Sequence, residues 1–276
     1  MLRSLKEIEK YQLNATDGDL GTVADFFLDD EHWAIRYLVV DTGGFLEGRQ
    51  VLISPISFRR ADWATRCFHL ALTMDRIRNS PSVDMARPVS RQHERDYHRY
   101  YGYPTYWGSS GIWRLDSEPS ALAMLSWDET MDAASGEPAD DVHLRSVGEL
   151  RGYRIQGTDD DIGHVDDFIV DDVTWEVRYL VLDTSNWWFG KKVLVAPRWA
   201  KDISWEERKV TVGLSREAIE NSPEWDPSAE VNRDYETRLY DHYGRRAYWL
   251  RGGPADSEPA PPGAKPRPEP AEPDIR

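Results

Sequence analysis

Apolar residues recur at every second position in several short runs of this chain. Trp33, Ile35, Tyr37 and Val39 share one face of the segment Trp33–Val40, and Phe68, Leu70 and Leu72 share one face of Cys67–Leu72. Later, Trp175, Val177, Tyr179 and Val181, and then Val210, Val212 and Leu214, follow the same rule. Alternation of this kind marks a strand with one face buried. A strand over Gly21–Leu28 leads through Asp29-Asp30-Glu31-His32 into the next, and another over Arg49–Ser54 stops at Pro55. Short strands joined by polar turns suggest a small barrel, an arrangement that closes sheet edges. The pattern then turns helical. Met74–Asn79 reads as a helical turn ended by Ser80-Pro81. Ser90 is suited to cap a helix over Arg91–Tyr101, with Gly102 ending it, and Asn232, Arg233–Tyr243 and Gly244 repeat that signature.

The two sets of elements are copies. Residues 3–107 recur without a gap as 145–249: Trp33 matches Trp175, and 175 − 33 = 142 holds throughout. Roughly forty of the positions in that frame are identical. Each copy is large enough to be a domain. The expected organisation is residues 1–108, a linker 109–142, residues 143–250, and a Pro-rich tail 251–276. From Leu115 to Val142 the linker carries Asp and Glu but no Lys or Arg, which suits a solvated, self-repelling segment.

Composition narrows the function. A formal net charge of −15 argues against general nucleic-acid binding. Cys67 is the single cysteine, which excludes an intrachain disulfide and fits a reducing compartment. Neither a signal-peptide core nor an apolar stretch of membrane-spanning length is present, so a soluble cytoplasmic protein is expected.

The blocks Leu20–Asp30 and Arg36–Asp41, with their copies Ile162–Asp172 and Arg178–Asp183, resemble the PRC-barrel family. Shared features are Gly-x-Val-x-Asp-Phe, a paired Asp-Asp, a Trp and Arg-Tyr-Leu-Val-x-Asp. The resemblance implies a mainly β fold: two tandem small PRC-type β-barrels, each followed by a short C-terminal helical arm. Such barrels occur in the cytoplasmic part of the photosynthetic reaction-centre H subunit and in the C-terminal domain of a ribosome-maturation factor. The membrane helix of the former and the RNA-facing domain of the latter have no counterpart here. What the resemblance implies is therefore a protein-docking barrel without catalysis.

Candidate chemistry is sparse. Asp17-Gly18-Asp19-Leu20-Gly21 and Asp159-Asp160-Asp161-Ile162-Gly163 are the nearest approach to a metal loop. Neither continues to a bidentate acid, and a turn before a strand is the better reading. His93 and His98 stand five apart, a poor ligand spacing on a helix, and their copies are Tyr235 and Tyr240. The remaining histidines are scattered, and all seven read as solvated or core-edge residues. Asp41 and Asp183, beside Thr42 and Thr184, read as strand-end caps. No nucleophile elbow, phosphate loop or Cys/His pair is present. Catalytic, cofactor and metal residues are thus expected to be none.

Aromatic residues supply the candidate interaction surface. Tyr101, Tyr106 and Trp107 end the first copy, and Tyr243, Tyr248 and Trp249 end the second. These arms either pack on the protein itself or meet a partner. Phe45 and Leu46, with Trp187, Trp188 and Phe189 at the corresponding loop, form a second candidate. The expectation is a non-enzymatic adaptor that binds a protein partner, comparable to H-subunit-like assembly. The alternative is a small-molecule or metal-ion sensor using a cleft between the barrels. The repeats are further expected to pack as an intramolecular pseudo-dimer through surfaces that include the arms.

Overall fold

The computed structural model describes residues 1–82, 89–107, 112–113, 118–125, 127–128, 142–184 and 190–250. The first half contains β1 (Leu2–Ser4), β2 (Gln12–Ala15), β3 (Gly18–Asp29), β4 (Ala34–Asp41), β5 (Gln50–Ile53), β6 (Phe58–Asp62), β7 (Cys67–Leu70) and β8 (Val89–Ser90). The second contains β9 (Val142–Ser146), β10 (Arg154–Gln156), β11 (Asp161–Asp171), β12 (Val177–Asp183), β13 (Lys192–Val195), β14 (Ala200–Ser204) and β15 (Lys209–Val212). The sheets run β5-β4-β3-β2-β7-β6 and β13-β12-β11-β10-β15-β14. These orders correspond strand for strand. In each, one parallel pairing (β2 with β7, β10 with β15) interrupts an otherwise antiparallel path. The fold is mainly β, as the alternating pattern requires.

Glycine in the shared motif has a steric cause. At Gly21 (φ +148°) a Cβ would stand 2.0 Å from the Asp41 carbonyl oxygen, and at Gly163 (φ +150°) 2.1 Å from that of Asp183. Only glycine lets the long strand cross its neighbour so closely. Bulges between Val23 and Asp25 and between Val165 and Asp167 follow at once, where the strand bends.

The halves exchange their first strands. β1 does not join its own sheet but pairs with β11, in the register Leu2↔Asp171, Arg3↔Val170, Ser4↔Ile169. β9 returns the exchange on β3, with Leu144↔Asp29, Arg145↔Leu28, Ser146↔Phe27. Every pair of one set maps onto the other by the step of 142, so the seam has pseudo-two-fold symmetry. Ser4 caps the short helix Leu5–Ile8 and also donates to the Asp167 carboxylate across the seam. Its counterpart Ser146 caps Val147–Leu150 and donates to Asp25 at 2.5 Å. The aspartate of each Asp-Phe motif thus anchors the other half's first helix. At the axis, Ile35 N donates to Trp175 O at 2.8 Å and Val177 N to Trp33 O at 2.7 Å. Both tryptophans hold positive φ (54° and 58°), a strained turn that these reciprocal bonds secure. The buried apolar side chains of both halves belong to one cluster.

Two expectations change here. β4 is not half-buried: all of Ala34–Val40 is buried, with the helix Arg91–Tyr101 packed on Tyr37 of one face and Tyr106 and Trp113 laid over Arg36 of the other. The seam, moreover, is built chiefly from exchanged strands, and of the named arm residues Tyr106 joins it, its hydroxyl 3.4 Å from His143 Nε2, while Glu94 of the same arm pairs with that imidazole. Tyr97 lies on Tyr37 of its own half (5.0 Å), with Tyr101 beside it (4.7 Å), and Tyr240 and Tyr243 lie on Trp199 of theirs (5.2 and 5.0 Å). The first arm does reach the seam elsewhere, where β8 pairs with β9. Helix limits follow the sequence reading: Arg91–Tyr101 with Ser90 and Gly102 (φ +74°) as caps, and Arg233–Tyr243 with Asn232 and Gly244 (φ +61°).

Candidate functional site

Each half carries an ionic centre where its central strand, long strand and arm helix meet. In the first half, Arg36 projects from β4 with no exposed surface. Its Nε and Nη2 donate to Asp29 Oδ2 at 2.9 and 2.7 Å, and its Nη1 donates to the Ile112 carbonyl at 2.5 Å. The guanidinium lies against the rings of Tyr106 (3.8 Å) and Trp113 (4.7 Å), which meet edge to face beside it. Beside it, Glu94 receives Arg91 Nη1 at 2.7 Å, Tyr37 Oη at 3.1 Å and the Tyr106 hydroxyl. His143, from the second half, lies 3.0 Å from the same carboxylate. His98 bridges the Pro104 carbonyl (2.8 Å) and Tyr37 Oη (3.0 Å).

Burial and charge set the protonation states. Burial opposes ionisation of Asp29 and Glu94, yet Arg36 holds Asp29 well below the usual carboxylate range, and Arg91 with His143 holds Glu94 at about 2. Burial also opposes charging His143, but Glu94 outweighs it and raises that imidazole. His98, buried without a carboxylate in contact, is pushed down to about 4. Asp30 rises to about 6, through burial first and then repulsion from Asp29. The centre is a closed set of paired charges, Asp29 with Arg36 and Glu94 with Arg91 and His143, in which Arg91 Nε is buried without a hydrogen-bond partner. It can hold strands and helix in register, and no substrate reaches Arg36, Arg91, Glu94 or His98 while it is closed.

The second half repeats the skeleton in open form. Glu236 receives Tyr179 Oη at 2.7 Å and Tyr248 Oη at 3.0 Å, and Arg233 Nη1 stands 3.0 Å away. Yet the Arg233 side chain is 53% exposed, against 2% for Arg91. Arg178 stacks on Tyr248 at 4.3 Å but has turned from Asp171 (3.9 Å) to Glu176 (2.6 Å), and its buried Nε lacks a hydrogen-bond partner. Among the described residues no second ring covers it.

Residues 144–218 match the family model of the PRC-barrel domain. This segment is a PRC-barrel domain. The match begins in the exchanged strand β9 and runs through the whole sheet to the helix Arg216–Glu220, and no curated protein matches the chain. The first half shares the strand order of this PRC-barrel and its close-approach glycine.

Placed on the two sheets, the candidate surface divides. Tyr101, Tyr106 and Trp107 are 4%, 2% and 4% exposed, so these three offer a partner almost no aromatic area, while Tyr100 and Tyr103 of the same arm are partly buried. Tyr243, Tyr248 and Trp249 are half-buried and packed on the core, as are Phe45 and Leu46. Trp187, Trp188 and Phe189 lie outside the described residues. The Asp-rich turns cap helices: Asp17 Oδ1 accepts Met74 N at 2.7 Å, and Asp159 Oδ1 accepts Arg216 N at 2.8 Å. Asp41 Oδ1 accepts Gly43 N at 2.9 Å, a strand-end cap. Asp29, Glu31 and His32 bring ligand atoms within 4.8 Å of one another, but Asp29 is already engaged by Arg36 and by the amides of Glu31 and His32. Two surface depressions, one around Arg154 and His164 and one around Lys192 and Trp225, lie on the second half rather than between the halves.

His98 and His143 are core residues, which corrects the view of every histidine as solvated or core-edge. Burial of a polar side chain depends on what the arm and the exchanged strand lay over it. One signal did point to the centre: Arg36, Arg91 and Glu94 are charged residues preserved at Arg178, Arg233 and Glu236 across the repeat, and Arg36 interrupts an apolar strand.

Proposed function

We propose that the protein is a non-enzymatic scaffold in which two PRC-barrels, locked as one pseudo-symmetric body, recruit a protein partner. The observation that carries this reading is the closed ionic centre of the first half. Arg36, Arg91, Glu94, His98 and His143 are each at most 2% exposed and are bound to one another or to the backbone around them. Residues that could do acid–base work are committed to holding the body together. The PRC-barrel match supports an interaction or assembly role, and an assembly role like that of the H-subunit barrel is its finer form. Among the described residues no helix is long and apolar enough to cross a membrane. We place the protein in a reducing aqueous compartment, in keeping with its single, buried cysteine.

Affinity capture of the tagged full chain with cross-linking, beside native mass spectrometry of the purified protein, tests the reading. A stoichiometric protein partner with cross-links on one face is the expected result. A stoichiometric small molecule or metal ion in the native spectrum would replace the scaffold with a sensor.

A further inference from the structure

The closed centre of the first half is completed by two residues from outside its repeat. Ile112 offers its carbonyl to Arg36 at 2.5 Å. Trp113 covers the guanidinium, is itself fully buried, and donates its indole N–H to the Thr174 carbonyl at 2.7 Å. Thr174 belongs to the β11–β12 turn of the other half, so the receptor for this short segment spans the seam. Its parts are an arginine stacked on a tyrosine and a turn carbonyl across the axis.

Pseudo-symmetry places the same parts around the second centre. Arg178 stands on Tyr248, its Nε is buried without a partner, and His32 occupies the turn position equivalent to Thr174 (32 + 142 = 174). Tyr248 and Trp249 are half-buried, and Leu250 beside them is 59% exposed. The positions that correspond to Ile112-Trp113 are Pro254-Ala255, and residues 251–276 contain no aromatic residue. The chain's own C-terminal segment therefore has no indole to offer this receptor. We propose that the second centre is a docking site for a tryptophan-bearing segment of a partner protein, which covers Arg178 as Trp113 covers Arg36. This rests on the scaffold reading and names the surface that does the recruiting. Glu176, where the first half has Ala34, holds Arg178 Nη1 at 2.6 Å and competes with the incoming carbonyl. That competition suits a contact that forms and releases, unlike the permanent one in the first half.

A synthetic peptide of residues 108–118 with 5-fluorotryptophan at position 113, titrated into the unlabelled full chain, probes the site by 19F NMR. Saturable one-to-one binding is expected, weakened at least about tenfold by Tyr248→Ala and tightened several-fold by Glu176→Ala. The Glu176 variant recreates the first half's residue and keeps the test decisive if Tyr248→Ala folds poorly. A peptide carrying Trp113→Ala should not compete. Absence of saturable binding, or binding that neither variant alters, overturns the proposal. Binding that appears only when residues 251–276 are removed assigns the site to the tail and also overturns it. Self-association of the full chain that Tyr248→Ala abolishes would assign the site to a second copy, and the proposal would fall with it. A partner captured equally by wild type and both variants removes this site while leaving the scaffold reading in place.

Discussion

The two ionic centres are built from the same residues at the same step along the chain, yet one is sealed and the other open. Arg36 has Asp29 as partner, two rings against its guanidinium and no exposed side chain; Arg178 has one ring among the described residues, a different carboxylate and 13% exposure. The difference comes from a few residues outside the conserved skeleton: Ile112 and Trp113 from the connecting segment, His143 from the exchanged strand, and Ala34 in place of Glu176. A repeat thus fixes the framework of a site, while the segments laid over it decide whether it is structure or surface. In a low-dielectric interior the Arg36–Asp29 pair must be fully satisfied, whereas the Arg178–Glu176 pair, 13% and 16% exposed, is partly screened by solvent and contributes less.

Removing each arginine in turn should separate the two centres most strongly. Arg36→Met leaves Asp29 charged and buried, and urea unfolding should show a loss of about 3–5 kcal/mol. Arg178→Met should cost about 1 kcal/mol or less, since Glu176 and Asp171 are more exposed than Asp29. Equal losses would mean that the sealed and open centres do not differ energetically. Trp113→Ala tests the seal itself. It should cost about 3 kcal/mol as a buried Trp truncation and expose Arg36, measurable by denaturant unfolding together with hydrogen exchange in β4.

Acid should act mainly on the first half. His98 has a folded value of about 4 against an ordinary 6.5, so the stability tied to its neutral form is present above pH 6.5 and lost as pH falls towards 4. Glu94, at about 2 against 4.5, contributes stability above pH 4.5 that is lost as pH falls towards 2. Asp30 acts in the opposite sense, losing stability as pH rises from 3.8 through 6. The difference between variants isolates one contribution: His98→Gln should show a smaller drop in Tm between pH 6.5 and 4 than the wild type. Its counterpart Tyr240, raised to about 12 by burial, stays neutral throughout that range. A drop of unchanged size would show that His98 does not set this pH dependence.

At the seam the two halves should respond alike. Asp25→Ala and Asp167→Ala each release a serine cap of the opposite half, and each should cost about 1–3 kcal/mol with closely similar values. Strongly unequal costs would show that the pseudo-symmetry is only geometric. The smallest effect is expected from chelator. EDTA should move Tm by no more than about a degree, because Asp17 and Asp159 cap helices and Asp29 serves Arg36. A loss of several degrees restored by Ca²⁺ or Zn²⁺ would assign one of these turns to a metal.

Much of the framework was legible in the sequence because local rules act locally. Period-two runs placed β4, β7, β12 and β15, and Ser90 and Gly102 bounded the arm helix. What stayed hidden depends on long-range placement. Nothing in Leu2–Ser4 says that it pairs with residues 169–171 rather than with its own β3, since both partners carry nearly the same motif. The arms of the first half read as aromatic surface, yet Tyr106 and Trp107 are interior because Glu94, Arg91 and Trp113 surround them. His143 sits at the start of a repeat, where its counterpart is Met1, so the internal comparison offered no hint of its role.

Reciprocal exchange of β1 and β9 makes the two halves one cooperative body, and differential scanning calorimetry of the full chain is the decisive measurement. A single transition whose calorimetric and van't Hoff enthalpies agree is expected, because neither sheet keeps its outer strand without the other half. Two resolved transitions, or a van't Hoff enthalpy near half the calorimetric value, would show that the halves unfold independently and that the exchange does not couple them.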